Sequence, residues 1–430
     1  MKSTKLIGLV GGAVAATAFA AAHGQQNQSE FFQRDRYEAV QDRYQEAFDQ
    51  ESVRLGGLIV NSELALGAEY NDNVFAADDA VSLAETSEDL ILRIAPTIDV
   101  RTDLARHEFG GRVQLEHREF TDLDSESATN VRGELRGRLD VTRSFDVGGA
   151  VFGSDEVEGR RDANNAAVFA EPISFQTAGA RAQARFTRDR LRLRANYQFT
   201  DFSYDDVPLD AGGTFDLSER DYQAQFVRAR AAYAVSPDIA VFVQGELNQR
   251  DYDNEILVNG VLASRDTEGY AAQLGMNFEL PVLLRGDVAI GFFEDETDSE
   301  LLADTDGLSL DANVQWFPTR LTTLTFNASR RATDAGLVAA ASATAQDFGA
   351  RVDHELYRNV LLFGEAGFGN REFGSSDRED DIFDARLGAT YKLNKRIHVD
   401  GYYERFDRNS NFVGNDFEQN IFGVAVRLFP

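Results

Sequence analysis

Cysteine is missing from all 430 residues, which excludes a disulfide framework and a thiolate metal site. After Ala22 there is also no run of apolar residues long enough to form a transmembrane helix. Positive charge is scarce: 72 acidic residues stand against 43 basic ones, a formal charge of −29. General nucleic-acid binding relies on neutralising phosphates, and that balance excludes it. Chemical motifs are lacking as well. His23, His107, His117, His354 and His398 show no metal-ligand spacing, and no Gly-x-Ser-x-Gly elbow occurs. Gly364-Glu365-Ala366-Gly367-Phe368-Gly369 has the glycine spacing of a dinucleotide fingerprint in reverse and sits in a strand pattern with no helix after it. The expectation is a protein without catalytic residues, cofactor or resident metal.

What is present begins with Lys2 and Lys5 ahead of the alanine- and glycine-rich apolar run Leu6 to Ala22. This pattern is that of a secretory signal, with cleavage after Ala20, Ala22 or Gly24, so residues 1–24 are expected to be removed. Residues 25–56 are polar. Tyr37, Val40, Tyr44 and Phe48 recur at helical spacing among Asp35, Glu38, Asp42 and Glu46, which predicts a short amphipathic helix in a solvated periplasmic leader.

From Gly57 onward the period becomes two. Val131, Gly133, Leu135, Gly137, Leu139 and Val141 alternate with Arg132, Glu134, Arg136, Arg138 and Asp140. Leu191, Leu193, Ala195, Tyr197 and Phe199 alternate with Arg192, Arg194, Asn196, Gln198 and Thr200, and residues 308–316 and 383–391 follow suit. Such alternation gives a strand with one apolar and one polar face, and it explains a negative mean hydropathy beside 43% hydrophobic residues.

A soluble sandwich alternates too, so the punctuation decides. Short gaps fall near residues 102–106, 142–144, 188–190, 236–238, 281–283, 318–320, 357–359 and 394–396. Between them lie longer, mostly acidic gaps near residues 72–89, 121–129, 155–171, 205–218, 253–265, 294–306, 332–345, 375–381 and 407–416. Short turns on one side and long loops on the other belong to an outer-membrane barrel. The gaps imply an all-β fold: one transmembrane antiparallel β-barrel of about 18 strands over residues 57–430, with both ends in the periplasm. Closure leaves no unpaired backbone edge in lipid, and at this strand number side chains cannot fill the interior. Phe422, Val424, Val426 and Leu428 carry the alternation to the C-terminus. The final aromatic, which barrel-assembly machinery usually reads at the last position, is Phe429 and is displaced by Pro430.

Arg54-Leu55-Gly56-Gly57-Leu58-Ile59-Val60, followed by Glu69-Tyr70-Asn71-Asp72-Asn73-Val74-Phe75, resembles the first strand of the outer-membrane β-barrel porin type two family. Tyr70, Asp72 and Asn73 match the motif that closes that strand. Some members of that family accompany exopolysaccharide machinery, so the resemblance implies polysaccharide export, with periplasmic export components as partners. A general small-solute diffusion porin is the alternative, and a sealed structural or adhesive barrel the third.

On the polar phase, Arg112, Arg118, Arg132, Arg136, Arg138, Arg181, Arg185, Arg192, Arg194, Arg228 and Arg230 would form a basic, channel-lining wall that favours anions. Equally, Glu108, Glu116, Glu134 and Asp140 could pair with them and simply stiffen the barrel. The acidic loop runs, such as Glu294-Asp295-Glu296 and Asp304-Thr305-Asp306, are expected to be solvated surface, with loose divalent binding as the lesser possibility.

Overall fold

The structure is a computed structural model that describes residues 36–78, 87–162, 169–336 and 340–430. The expected secretory signal and the first part of the leader lie outside the described residues. Eighteen long strands make up the protein: β1 (Leu58–Asn71), β2 (Asp89–Thr102), β3 (Glu108–Phe120), β4 (Ala128–Asp140), β5 (Phe145–Val157) and β6 (Ser174–Arg188). Next come β7 (Leu191–Tyr204), β8 (Tyr222–Ala234), β9 (Ile239–Tyr252), β10 (Thr267–Leu280), β11 (Leu284–Thr297) and β12 (Thr305–Thr319). The last are β13 (Thr322–Asp334), β14 (Ser342–Tyr357), β15 (Val360–Phe373), β16 (Glu379–Asn394), β17 (Ile397–Ser410) and β18 (Phe417–Leu428).

Each strand pairs antiparallel with the next, and β18 returns to β1 over Leu64↔Leu428 to Asn71↔Ile421. The sheet is therefore a closed barrel, and its backbone donors and acceptors are satisfied between strands, as lipid requires. Alternation sets the two faces. Leu135, Val151, Leu193, Leu274, Phe292, Phe368, Leu387 and Val424 are exposed on the outside, whereas Asp99, Arg230, Gln244, Asp287 and Asp353 are buried within. Exposed apolar side chains around a full circumference are stable only against lipid tails.

The expected short gaps are hairpin turns at one end of the barrel, and the longer ones fall at the other end, where their described residues between the strands are loop and short hairpins. At the two-residue turn Asp189-Arg190, Asp189 has φ +52°, a tight-turn conformation that aspartate tolerates. Strands run for 12 to 16 residues, longer than about ten needed to cross the hydrocarbon. The acidic stretch 294–306, expected as loop, is therefore strand at both of its ends: β11 continues to Thr297 and β12 begins at Thr305. Ladder hydrogen bonds persist beyond the membrane, where outward residues no longer need to be apolar.

The leader differs from its expectation. Of the helix predicted around residues 37–48, only a 3-10 turn, Val40–Asp42, and a separate turn closed by the Phe48 and Asp49 amides on the Gln45 carbonyl form, and Val53–Leu55 folds back on β1. Ala39 and Val40 are buried, not solvated. Their backbone and side chains are taken up by the barrel wall instead of by a helix of their own.

Candidate functional site

The interior is not uniformly open. Adjacent strands lie about 4.8 Å apart, so β8 and β11 should be roughly 14 Å apart along the sheet. Yet Arg230 on β8 reaches Asp287 on β11 at 3.0 Å, and both are buried. Gln244 donates to Gln273 at 2.8 Å, and Gln273 donates to Ser309 at 2.6 Å. Arg250 pairs with Asp295 at 2.6 Å, and Tyr252 donates to Asp334 at 2.7 Å. Long polar side chains thus fill the sharply curved β8–β13 side. Buried charges of this kind are tolerated because each is paired.

Beside this network, and bordered in part by it, a cavity of about 1010 Å³ occupies the lumen. Its wall on β13–β17 carries Arg331, Asp347, Arg351, Glu365, Arg371, Asp384, Arg386, Glu404 and Arg408. Arg351 pairs with Glu365 at 2.7 Å, Arg371 with Asp347 at 2.7 Å, and Arg386 stacks on Tyr402 at 3.9 Å. The Tyr402 hydroxyl donates to Glu69 across β18 at 2.6 Å. It can do so because position 423, over which its ring lies, is glycine; a Cβ there would meet the ring at 2.3 Å.

From the long-loop end, residues 158–162 fold inward over this cavity. Two buried ion pairs hold them: Glu158 with Arg220 at 2.5 Å and Arg160 with Glu126 at 2.5 Å. Phe169, Ile173, Val207 and Leu217 form an apolar core beneath the same loops. Burial works against the charge on Arg220, but Glu158 beside it holds its pKa above the ordinary arginine value. So anchored, Arg161 crosses to the far wall. It pairs with Glu404 at 2.7 Å, bonds Gln419, and lies over the Phe406 ring at 4.6 Å. This contact narrows the passage near its outer mouth.

At the short-turn end the leader does the same. Arg36 pairs with Asp238 at 2.6 Å, and Tyr37 stacks on Phe317 at 5.1 Å. The Val40 amide donates to Thr323 at 3.0 Å, and Arg43 pairs with Glu355 at 2.7 Å. Asp49 pairs with Lys392, Glu51 with Lys395, and the Phe48 carbonyl meets His398 at 2.9 Å. Residues 36–51 therefore form a strap along the inner rim from the β9–β10 side round to β17. Phe429 packs under it on His398 at 4.7 Å, so the last aromatic faces inward.

All eleven arginines singled out in the sequence lie on inward-facing positions. Most are paired: Arg136 with Asp99 at 2.7 Å, Arg138 with Asp140 at 3.2 Å, Arg185 with Asp146 at 2.9 Å, Arg118 with Glu116 at 3.6 Å and Arg228 with Glu246 at 2.8 Å. Arg132 pairs with Glu156 and Arg181 with Glu134. Arg194 donates to Gln183 at 3.4 Å, and Arg192 is its neighbour on β7. Arg112 makes no salt bridge among the described residues. Only Arg118 and Arg228 of this set border the large cavity. The expected basic wall is largely a ladder of paired charges, and most of the arginines that border the cavity, Arg331, Arg351, Arg371, Arg386 and Arg408, lie on β13–β17, outside the set expected from the sequence.

The residues Tyr70, Asp72 and Asn73 lie at the closing seam. Tyr70 faces outward and donates to Glu88 at 2.5 Å, Asp72 accepts from Asn420, and Asn73 bridges Ala77 and the Glu418 carbonyl. Asp72 and Asn73 hold the seam, whereas the Tyr70 side chain is tied to the start of β2, and none of the three lines the lumen.

The family model described as "Putative beta-barrel porin 2" matches residues 46–429. No curated protein matches the chain. Among solved structures it is similar to Pseudomonas aeruginosa OccK2 (OpdF) in complex with glucuronate, at 11% identity over 86% of this chain and 98% of that one, TM-score 0.45. It is also similar to Pseudomonas aeruginosa OccK1 (OpdK), at 12% identity over 86% and 99%, TM-score 0.47. The ferric enterobactin receptor PfeA of Pseudomonas aeruginosa follows at 7% identity over 86% and 80%, TM-score 0.47.

Proposed function

The chain belongs to the beta-barrel porin 2 family of the outer membrane, and on that premise we propose that it is a diffusion channel for small hydrophilic solutes. The observation that carries this reading is the charged lumen cavity of about 1010 Å³, narrowed but not filled by the loop carrying Arg161. A polar wall whose charges are largely paired passes hydrated solutes without binding them tightly, which a diffusion pore requires.

Polysaccharide export, implied by the family resemblance, gains nothing from this interior. A polymer would have to displace both the Arg161 loop and the leader strap, each held by several ion pairs. Liposome swelling with purified protein tests the proposal. Monosaccharides should enter and long oligosaccharides should not. Absence of swelling with every solute would overturn it in favour of a sealed barrel.

A further inference from the structure

We propose that Arg331 and Arg371 form a binding site for an anionic group, a carboxylate or phosphate, carried by a solute in the lumen. The site deepens the channel reading and rests on it.

The register places the two arginines. Arg331 on β13 pairs with Ala345 on β14, and Ala345 pairs in turn with Arg371 on β15. The three residues form one row across neighbouring strands and face the cavity together. At the ordinary strand spacing the two arginine Cα atoms stand about 10 Å apart. Between them is only a methyl group, and Ala343, next on the same face, is as small. Ala345 and Ala343 are themselves covered, so the two longer arginine side chains are the groups of this row that meet the cavity, where a carboxylate or phosphate can take a hydrogen bond from each.

The two guanidiniums differ in their partners. Arg371 is fixed: it pairs with Asp347 at 2.7 Å and donates to the carbonyls of Asn370 and Gln346 at 3.0 and 3.3 Å. Arg331 is half-buried and makes no hydrogen bond or ion pair among the described residues. The charged groups around it are Asp347, Arg371, Asp311 and Arg228. Asp347 is held by Arg371, so Arg331 is left as a wall cation whose complement is a visiting anion. A partly desolvated charge gains most from such a partner. Asp311 and Asp347 close by limit that gain, so the anion can leave again, which passage requires.

The test uses the full-length protein in detergent micelles with inorganic phosphate as probe, read by broadening of the phosphorus NMR line, alongside bilayer current. The wild type should broaden the line. Arg331→Gln should reduce the effect about threefold. Arg331→Lys should give an intermediate value. Arg143→Gln, which removes an exposed turn arginine, should change nothing, and acetate should compete if carboxylates share the site. Equal broadening by wild type and Arg331→Gln, both verified as folded, would overturn the site even if current flows. Absence of current with phosphate binding intact would overturn the channel reading and leave the site standing.

Discussion

The carboxylate of Asp72 accepts two hydrogen bonds from Asn420, one from the backbone amide at 2.6 Å and one from the side-chain amide at 2.7 Å. The pair joins the end of the first barrel strand to the last, beside the Asn71↔Ile421 contact that closes the circle. A barrel gains its closure there once only, between strands most distant in sequence. Asp72→Ala leaves two donors on Asn420 without their acceptor and should cost about 1–3 kcal/mol. The expected readout is a lower temperature for the shift between folded and unfolded bands on gels, and an unchanged midpoint would remove the seam role.

The leader strap should restrict current. Deleting residues 36–51 while retaining the N-terminal segment before them removes the contacts to Thr323, Glu355, Lys392 and His398. Single-channel conductance should rise, on the order of twofold, since the strap covers part of one rim. The same conductance with and without the strap would show that the narrow point lies elsewhere.

Acid should loosen one end of that strap. The hydrogen bond from Lys395, and then its charge, hold the Glu51 carboxyl below the ordinary glutamate value of 4.5. A lowered pKa means that the contact contributes fully above 4.5 and is lost only as pH falls through the lowered value. Lys395 is raised above 10.5 by the same hydrogen bond, so its contribution is lost only as pH rises through that raised value. Conductance should therefore be flat across neutral pH and change in strong acid, and Glu51→Gln should flatten the acid limb. A transition near neutrality would point to a different group.

Arg161→Ala should widen the outer constriction, because it removes the contact with Glu404 and Gln419 while the buried Arg160–Glu126 anchor remains. Swelling assays should then admit solutes larger than the wild-type limit. An unchanged size limit would mean that the loop does not set it.

Arg230→Met should destabilise the barrel by about 3–5 kcal/mol, because Asp287 would be left as a buried charge without its partner. Replacing both residues with apolar ones of similar volume should restore most of the loss. Heat or urea midpoints of the single and double variants decide the matter: equal losses in both would mean that packing, not charge pairing, is what matters there.

The period-two pattern of residues such as Val131 to Val141 was enough to determine strands, faces and barrel class, because lipid demands an apolar outside and backbone pairing in a closed sheet. The spacing of short and long gaps likewise implied about eighteen strands and which end carries the turns. Tyr70, Asp72 and Asn73 were visible as a motif, but the work of Asp72 and Asn73 as a seam latch required knowing that the last strand lies beside them. Which arginines meet open water could not be read locally. Nothing in the residues next to Arg136 or Arg331 shows that Arg136 meets Asp99 while Arg331 makes no ion pair among the described residues, since partners come from strands tens of residues away. The strap was hidden for the same reason: the helical spacing of Tyr37 and Val40 marks an apolar face, but only the closed barrel supplied Phe317 and Thr323 to cover it. Local periodicity determined the wall of this protein; what occupies and narrows its lumen depended on contacts that only the tertiary structure brings together.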